Sequence, residues 1–339
     1  MDKKLSIVIL NWNGRKYLEK FLPVLLHNIP DYAEVIVADN HSTDDSIAFL
    51  SEHYPEMRLI VNESNGGFAK GYNDALKQVA TPYSCLLNSD IEVTHRWVEP
   101  IMEQMENDDH IGAVQPKILS YHDRTKFEYA GASGGFIDHL GYPFCRGRLF
   151  DNLETDNGQY DDVREIFWAT GAAMFVRRDV YHALGGLDED FFAHMEEIDF
   201  CWRMKNHGYK LYVNPASVVY HIGGGTLPKN NSFKTFLNFR NDLYLLQKNL
   251  PRKQMFPTLF LRFFMDTAAA FAFLAKGNAK DFKAVYKAWG AFLKNYKKTN
   301  AKRVQSPSFN AINDTAKASI VLEHYLKGKK YFNGHQFLK

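Results

Sequence analysis

The sequence predicts an α/β protein with a mostly parallel central sheet flanked by helices, followed by a helical C-terminal extension. Two observations predict the sheet. From residue 5 to residue 90, short apolar runs alternate with stretches of helical spacing, the pattern of repeated βαβ units. The runs are apolar throughout rather than alternating, as expected of parallel strands covered on both faces. The third observation is charge. Residues 251–339 carry 17 Lys and Arg against 4 Asp and Glu, a net of +13, whereas residues 1–250 have a net of −11. A basic helical segment follows an acidic body.

The elements follow in order. Residues 5–10 (Leu-Ser-Ile-Val-Ile-Leu) read as a buried strand ending at Asn11-Trp12-Asn13-Gly14. Residues 15–28 have helical spacing, and residues 34–38 form a second strand that stops at Asp39-Asn40. Asp44 and Asp45 open the next helix, where acids complement its dipole. A third strand covers 58–61, a helix 68–79, and a fourth strand 84–87. Residues 110–165 read as loops and short antiparallel strands, and 166–176 as a buried strand. A helix is expected from about 195 to Asn206, and a strand at 217–221 before His221-Ile222-Gly223-Gly224-Gly225. The remainder has helical patterning. The expected division is 1–248 as one body, with halves at about 1–110 and 111–248, and 249–339 as a basic helical region.

A chain of 339 residues, 45% hydrophobic and 14% aromatic, can bury a sizeable core. Cys85, Cys145 and Cys201 form no CxxC pair, which argues against a zinc site or a disulfide framework. The N-terminal residues lack the apolar stretch of a signal peptide, so a cytoplasmic location is expected. No RNA- or DNA-binding motif accompanies the basic segment, and nucleic acid is not an expected partner.

In parallel sheets ligands sit outside the carboxyl ends of the strands. Asn11–Asn13, Asp39–Asn40 and Asn88–Asp90 all fall there. The first strand is followed by neither G-x-G-x-x-G nor a P-loop lysine motif, so a phosphate-bearing ligand needs another anchor. Asp90 is either a turn residue or a ligand for Mg²⁺ or Mn²⁺ bridging to a diphosphate. Glu196, Glu197 and Asp199 either complement the dipole of the helix they open or supply a general base. His221, at a strand end beside glycines, is either structural or a metal or phosphate contact.

Several segments, taken together, resemble the family 2 glycosyltransferases of GT-A fold. They are Ser6–Asn13, Val37–Asp44, Asn65-Gly66-Gly67-Phe68-Ala69-Lys70-Gly71-Tyr72-Asn73 and Leu87–Asp90, then Thr170–Ala172, Gly185–Phe192, Glu196–Asp199 and Val219–Gly224. They cover roughly residues 5–248 in the family's order and spacing and look closest to its bacterial rhamnosyltransferase-like branch. The resemblance implies an inverting enzyme that moves a sugar from a nucleotide-sugar donor to a glycan or lipid-linked acceptor, with Mg²⁺ or Mn²⁺. It implies a nucleotide pocket from Asn11, Asn13, Asp39, Asn65, Gly66, Gly67, Lys70, Asn73 and Asn88. Asp90 and His221 are the implied metal ligands, and Glu197 the base, with Glu196 beside it. Trp168, Thr170, Gly171 and Asp199 fall where acceptor contacts are expected. The chain departs from the pattern at Asn88, where an acid is usual, and at Glu197, where Asp is usual. The rival readings are a sugar nucleotidyltransferase and a nucleotide- or glycan-binding domain without turnover.

In the basic region, residues 258–275 are mostly apolar but contain Arg262 and Asp266. In 282–298, Phe282, Val285, Trp289, Phe292, Leu293 and Tyr296 fall opposite Lys283, Lys287, Lys294, Lys297 and Lys298. That amphipathic spacing suits a helix lying on an anionic membrane surface, so residues 258–298 are expected either to rest there or to pack on the body or a second subunit.

Overall fold

The computed structural model describes residues 2–223, 231–304, 306, 312 and 314–332. Strands β1 (Leu5–Asn11), β2 (Ala33–Asp39), β3 (Arg58–Val61) and β4 (Tyr83–Asn88) run parallel. Helices α1 (Arg15–His27), α2 (Ser46–His53) and α3 (Gly67–Leu76) connect them. The register sets Asn11 opposite Asp39 and Leu10 opposite Asn88. The polar strand ends seen in the sequence therefore lie in one row. Residues of β1 alternate between two cores, as a strand covered on both faces must. Val8 packs with Ile36, Tyr72 and Leu86, and Ile7 and Ile9 pack with Leu18, Leu22 and Phe175.

The chain continues through β5 (Ile91–Val93), α4 (Glu99–Asn107) and β6 (Ile111–Ser120). A small second sheet holds β7 (Gly135–Asp138), β8 (Pro143–Cys145), β9 (Arg148–Leu149) and β10 (Asn152–Leu153). Then follow β11 (Arg164–Glu165), β12 (Ala173–Arg177), α5 (Arg178–Ala183), a 3-10 turn (Glu189–Phe191), α6 (Glu196–Asn206) and β13 (Lys210–His221). The large sheet has the order β11-β13-β6-β12-β4-β1-β2-β3, with β5 beside β13. Strand β12 enters antiparallel between β4 and β6.

The sequence pattern missed β6, which lies inside the stretch read as irregular. Gln115-Pro116-Lys117 interrupts its apolar run. Proline is tolerated in this interior strand because β13 shifts register between Asn214 and Val218, opposite it. The buried segment 166–176 also differs: only its end, from Ala173, is strand, and Trp168 makes a single bridge to Gly135.

The C-terminal region is helical: α7 (Ser232–Asn249), α8 (Arg252–Ala275), α9 (Ala279–Ala301) and α10 (Ile320–Tyr325), with the short β14 (Thr315–Ala316) joining β7. Of the two expectations for the aromatic stripe of α9, resting on a membrane or packing on protein, most of it follows the second and packs inward. Val285 and Phe292 are buried, Trp289 stacks edge-on against Phe263, and Phe292 contacts Tyr244 of α7. Of that stripe, Leu293 remains well exposed. Arg262 and Asp266 of α8 are also buried. Arg262 Nη2 lies 2.5 Å from Asp242 of α7, Nε lies 3.3 Å from Asp266, and Nη1 donates to Leu140 O. The Tyr142 ring covers its guanidinium, and Trp289 Nε1 donates to Asp266 Oδ2 at 3.0 Å. One fully desolvated cation thus ties α8, α7, α9 and the second sheet together. Arg262→Ala would strand two buried carboxylates and should lower unfolding free energy by about 3–5 kcal/mol in urea titrations. A loss below about 1 kcal/mol, the worth of an exposed pair, would show that the network does not hold the helices.

Candidate active site

The site forms at the carboxyl ends of β1, β2 and β4. Asn11 ends β1 and is fully buried; its Nδ2 donates to Asp39 Oδ2 at 2.9 Å and to Ser42 Oγ at 3.2 Å, while its Oδ1 has no partner. Asp39 is equally buried, and its other oxygen accepts from Ser42 N at 2.7 Å. Asn13 has a left-handed backbone, and its Oδ1 accepts from Thr43 N at 2.7 Å. Asn11, Asn13 and Asp39 therefore brace two loops against each other. Both carboxylate oxygens of Asp39 are engaged by these loops.

The glycine-rich loop leads into α3. Asn65 Oδ1 accepts from Asn40 Nδ2 at 2.9 Å and from Gly67 N at 3.0 Å. Gly67 has φ +83°, and a Cβ there would sit 2.3 Å from Phe192 O, so only glycine fits. Gly66 precedes it at the helix cap. Lys70 pairs with Asp74 at 2.5 Å on the same helix. Asn73 is committed elsewhere: Nδ2 donates to Leu187 O, and Oδ1 accepts from Tyr181 OH at 2.7 Å and Leu187 N at 3.0 Å. It anchors α3 to the Gly186–Leu187 turn.

Asp90 follows β4 and is buried beside His221, the last residue of β13. Its Oδ1 lies 3.2 Å from His221 Nε2. Glu128 Oε2 lies 3.1 Å from His221 Nδ1, within ion-pair range but off hydrogen-bond alignment. Burial disfavours a charged imidazole, yet Asp90 and Glu128 flank it and push its pKa up to about 10. Burial likewise opposes ionisation of Asp90, but the His221 charge and hydrogen bond hold it below the usual carboxylate range. Gly224 and Gly225, read with this motif, lie outside the described residues. Sequence reasoning missed Glu128, which stands in the irregular stretch with no motif around it.

Glu196 and Glu197 open α6, and each keeps a buried Oε2 without a hydrogen-bond partner. Burial raises the Glu197 pKa to about 7. Burial, then the Glu197 charge, raises Glu196 well above its ordinary value. Glu197 is partly exposed and Glu196 is not. A chain of contacts links Glu197 to the Asp90 end of the sheet. A methyl on Gly171 would sit 3.7 Å from Glu197 Cβ, and the next residue, Ala172, accepts from Asn88 N at 2.9 Å.

The backbone before Glu196 is strained: Phe192, His194 and Met195 all have φ between 66° and 72°. Such turns cost roughly 1–3 kcal/mol each and persist only when neighbours impose them. Asn241 of α7 imposes this one, donating to Phe191 O, Ala193 O and His194 O at 2.7–2.9 Å. Phe192 O in turn accepts from Phe68 N at 2.8 Å, so the same turn touches the glycine-rich loop. No sequence signal marks Asn241.

Three residues expected at the acceptor are turned inward. Asp199 is fully buried between Arg203 Nε at 2.9 Å, Lys248 Nζ at 2.8 Å and Asn249 Nδ2 at 2.8 Å. Trp168 is buried and donates Nε1–H to Phe136 O at 2.9 Å. Thr170 is buried with its hydroxyl accepting from Ala172 N at 3.2 Å. Each satisfies a polar group inside the fold, as burial demands. Gly171 alone of that set stays beside Glu197.

A family model, Glycosyl transferase family 2, matches residues 6–185. The chain is 24% identical over 242 residues to an N-acetylglucosaminyl-diphospho-decaprenol L-rhamnosyltransferase of Mycobacterium tuberculosis, covering 67% of this chain and 78% of that protein. GalNAc-T7, solved with UDP, GalNAc and Mn²⁺, superposes with TM-score 0.60 at 15% identity over 87% of this chain; the chain spans 58% of its length. S. aureus TarS 1–349 in complex with UDP-GlcNAc superposes with TM-score 0.57 at 16% identity, covering 88% of this chain and 84% of TarS 1–349. At those identities the superpositions establish the fold, which is GT-A, while the family model covers more than half of the chain. The chain belongs to glycosyl transferase family 2 and is a glycosyltransferase that works with nucleotide sugars.

Proposed function

We propose that this enzyme transfers a hexosyl or deoxyhexosyl group, with inversion, from a nucleotide-diphosphate sugar to a glycan or lipid-linked acceptor in bacterial cell-surface polysaccharide synthesis, at the cytoplasmic face of the membrane. Residues 1–248 carry the transfer site, and 249–339 its attachment. One observation carries the reading. Glu197, a carboxylate with a pKa near 7 and an unpartnered oxygen, is linked through Gly171 and Ala172 to the strand end that bears Asp90. A general base works best when its pKa lies near the working pH. The likeness to a rhamnosyltransferase supports a deoxyhexosyl donor. The family match leaves no place for the nucleotidyltransferase reading.

Asp90 and His221 would hold Mn²⁺ or Mg²⁺, with Mn²⁺ the better suited, once the ion displaces the proton that Asp90 and Glu128 keep on the imidazole. Among the described residues no three metal-binding side chains form a cage. The remaining ligands would come from diphosphate and water, which also accommodates Asn88 in place of an acid. When bound, the ion supplies Lewis-acid neutralisation of charge on the departing nucleotide. Glu197 takes the proton of the acceptor hydroxyl as that oxygen attacks the anomeric carbon. One C–O bond forms as the bond to the diphosphate breaks on the opposite face. Glu196 is buried, and burial with the Glu197 charge pushes its carboxyl well above the usual range, so the partly exposed Glu197 is the acceptor of that proton. The Asn65–Lys70 loop would contact the nucleotide of the donor.

Glu197→Gln should lower turnover by roughly 10²–10⁴-fold, the usual contribution of a general base, with donor affinity kept. Turnover at the normal rate would place the base elsewhere. Because the base acts ionised, kcat should fall about tenfold per pH unit well below pH 7. A rate flat from pH 5 to 8 would contradict the assignment. Asp90→Ala should weaken Mn²⁺-dependent nucleoside diphosphate binding in calorimetry. Unchanged binding would remove Asp90 from the metal site.

A further inference from the structure

Helix α8 buries one face against the body through Met255, Leu259, Arg262, Asp266 and Ala270. The next face round its axis is different. Phe256, Phe260, Phe263, Phe264, Phe271 and Leu274 fall within one stripe at 100° per residue, and all six are exposed, Phe260 by 69% and Phe256 by 60%. From Phe256 to Leu274 the stripe is about 27 Å long. Phe271 meets Phe282 of α9, which meets Tyr286, so the apolar surface continues onto the neighbouring helix. A contiguous exposed surface of this kind marks a binding face.

The charges around it are one-sided. Arg252 and Lys253 stand at the start of the stripe, Lys276 and Lys280 at its end, and Lys283 and Lys287 flank Tyr286. All six are exposed, and no carboxylate pairs with them among the described residues. The acids of these two helices, Asp266 and Asp281, are both buried. A second copy of the chain would bring the same cations to the same face. A protein partner would ordinarily offer hydrogen bonds, yet the polar member of the stripe, Thr267, spends its hydroxyl on Phe263 O at 2.7 Å. Apolar side chains without hydrogen-bonding needs, rimmed by cations, match the interface of an anionic bilayer.

We propose that the Phe256–Leu274 face of α8 is a membrane-docking surface, inserted among acyl chains with the Lys and Arg rim on anionic headgroups. The helix is long and apolar enough by length and composition to cross a membrane. Its buried Arg262 network instead holds it flat against the body, so it lies in the interface rather than across it. The purpose of this surface rests on the proposed lipid-linked acceptor, but its existence is tested apart from the transfer site.

The experiment is flotation with vesicles of phosphatidylglycerol and phosphatidylcholine, or of phosphatidylcholine alone, using the full chain and the variant Phe260→Glu/Phe264→Glu/Phe271→Glu. Mn²⁺-dependent hydrolysis of a nucleotide-sugar panel and sedimentation are measured alongside. The full chain should bind anionic vesicles, and added salt should weaken that binding. The variant should lose about tenfold or more in vesicle affinity while its hydrolysis is kept. Equal binding by variant and full chain, or none by either, overturns the proposal. So does a full-chain dimer that the variant turns into monomer while vesicle binding stays unchanged, which would assign the stripe to a second copy. Vesicle binding as expected, in a full chain that hydrolyses no nucleotide sugar, would count against the transferase assignment alone.

Discussion

The candidate base depends on how one buried carboxylate is neutralised. Asp199 has no access to water, and burial alone would drive it to protonate. Lys248 and Arg203 outweigh that and hold it below the usual carboxylate range. Lys248 also reaches Asp188 Oδ2 at 2.6 Å, so one ammonium bridges the turn before α6 to α6 itself, from α7. Removing one partner of such a pair strands a buried charge and costs about 3–5 kcal/mol. That covers only part of the roughly 3–9 kcal/mol that the three left-handed positions Phe192, His194 and Met195, which aim the first turn of α6, would cost together. Asn241, seven residues before Lys248 on α7, clamps the same turn from its carbonyl side. The glycine-rich loop, the candidate base and α7 are thereby one mechanical unit, joined at Phe192 O and Gly67.

The C-terminal helices repeat the device with opposite polarity. Asp199 is an acid held by cations, whereas Arg262 is a cation held by Asp242 and Asp266. Lys298 and Lys302 of the α9 region extend the joint by pairing with Asp190 and Asp188 at 2.5–2.6 Å. The positive C-terminal region and the negative body therefore meet at the turn before α6. Part of the charge asymmetry seen in the sequence is spent inside the molecule. Six of the other cations, Arg252, Lys253, Lys276, Lys280, Lys283 and Lys287, border the phenylalanine stripe of α8.

The parallel strands were legible because each is a short apolar run with a polar terminus, and covalent neighbours alone create that pattern. The register then brought Asn11, Asp39 and Asn88 into one row. Strand β6 was not legible, because its proline is excused by a bulge in β13, nearly a hundred residues away. The internal partners of Asp199, Asn73 and Trp168 were not legible for a similar reason. A polar side chain beside a motif reads the same whether it faces the cleft or the core, and its partner decides. Those partners, Lys248, Leu187 and Phe136, are distant in sequence. The stripe of α9 was correctly found as amphipathic, but spacing cannot say whether an apolar face meets protein or lipid. Packing against α7 and α8 settled it, and left the exposed face to α8.

The central claim is that Asp90 and Glu197 serve one cleft. A crystal structure of the protein with a nucleoside diphosphate and Mn²⁺, phased to show the anomalous signal of the ion, tests it most directly. The account predicts the manganese peak within coordination distance of Asp90, the diphosphate against it, and the Glu197 carboxylate facing the phosphate across an open gap. A manganese peak remote from Asp90, or a Glu197 side chain walled off from the bound nucleotide, would contradict it.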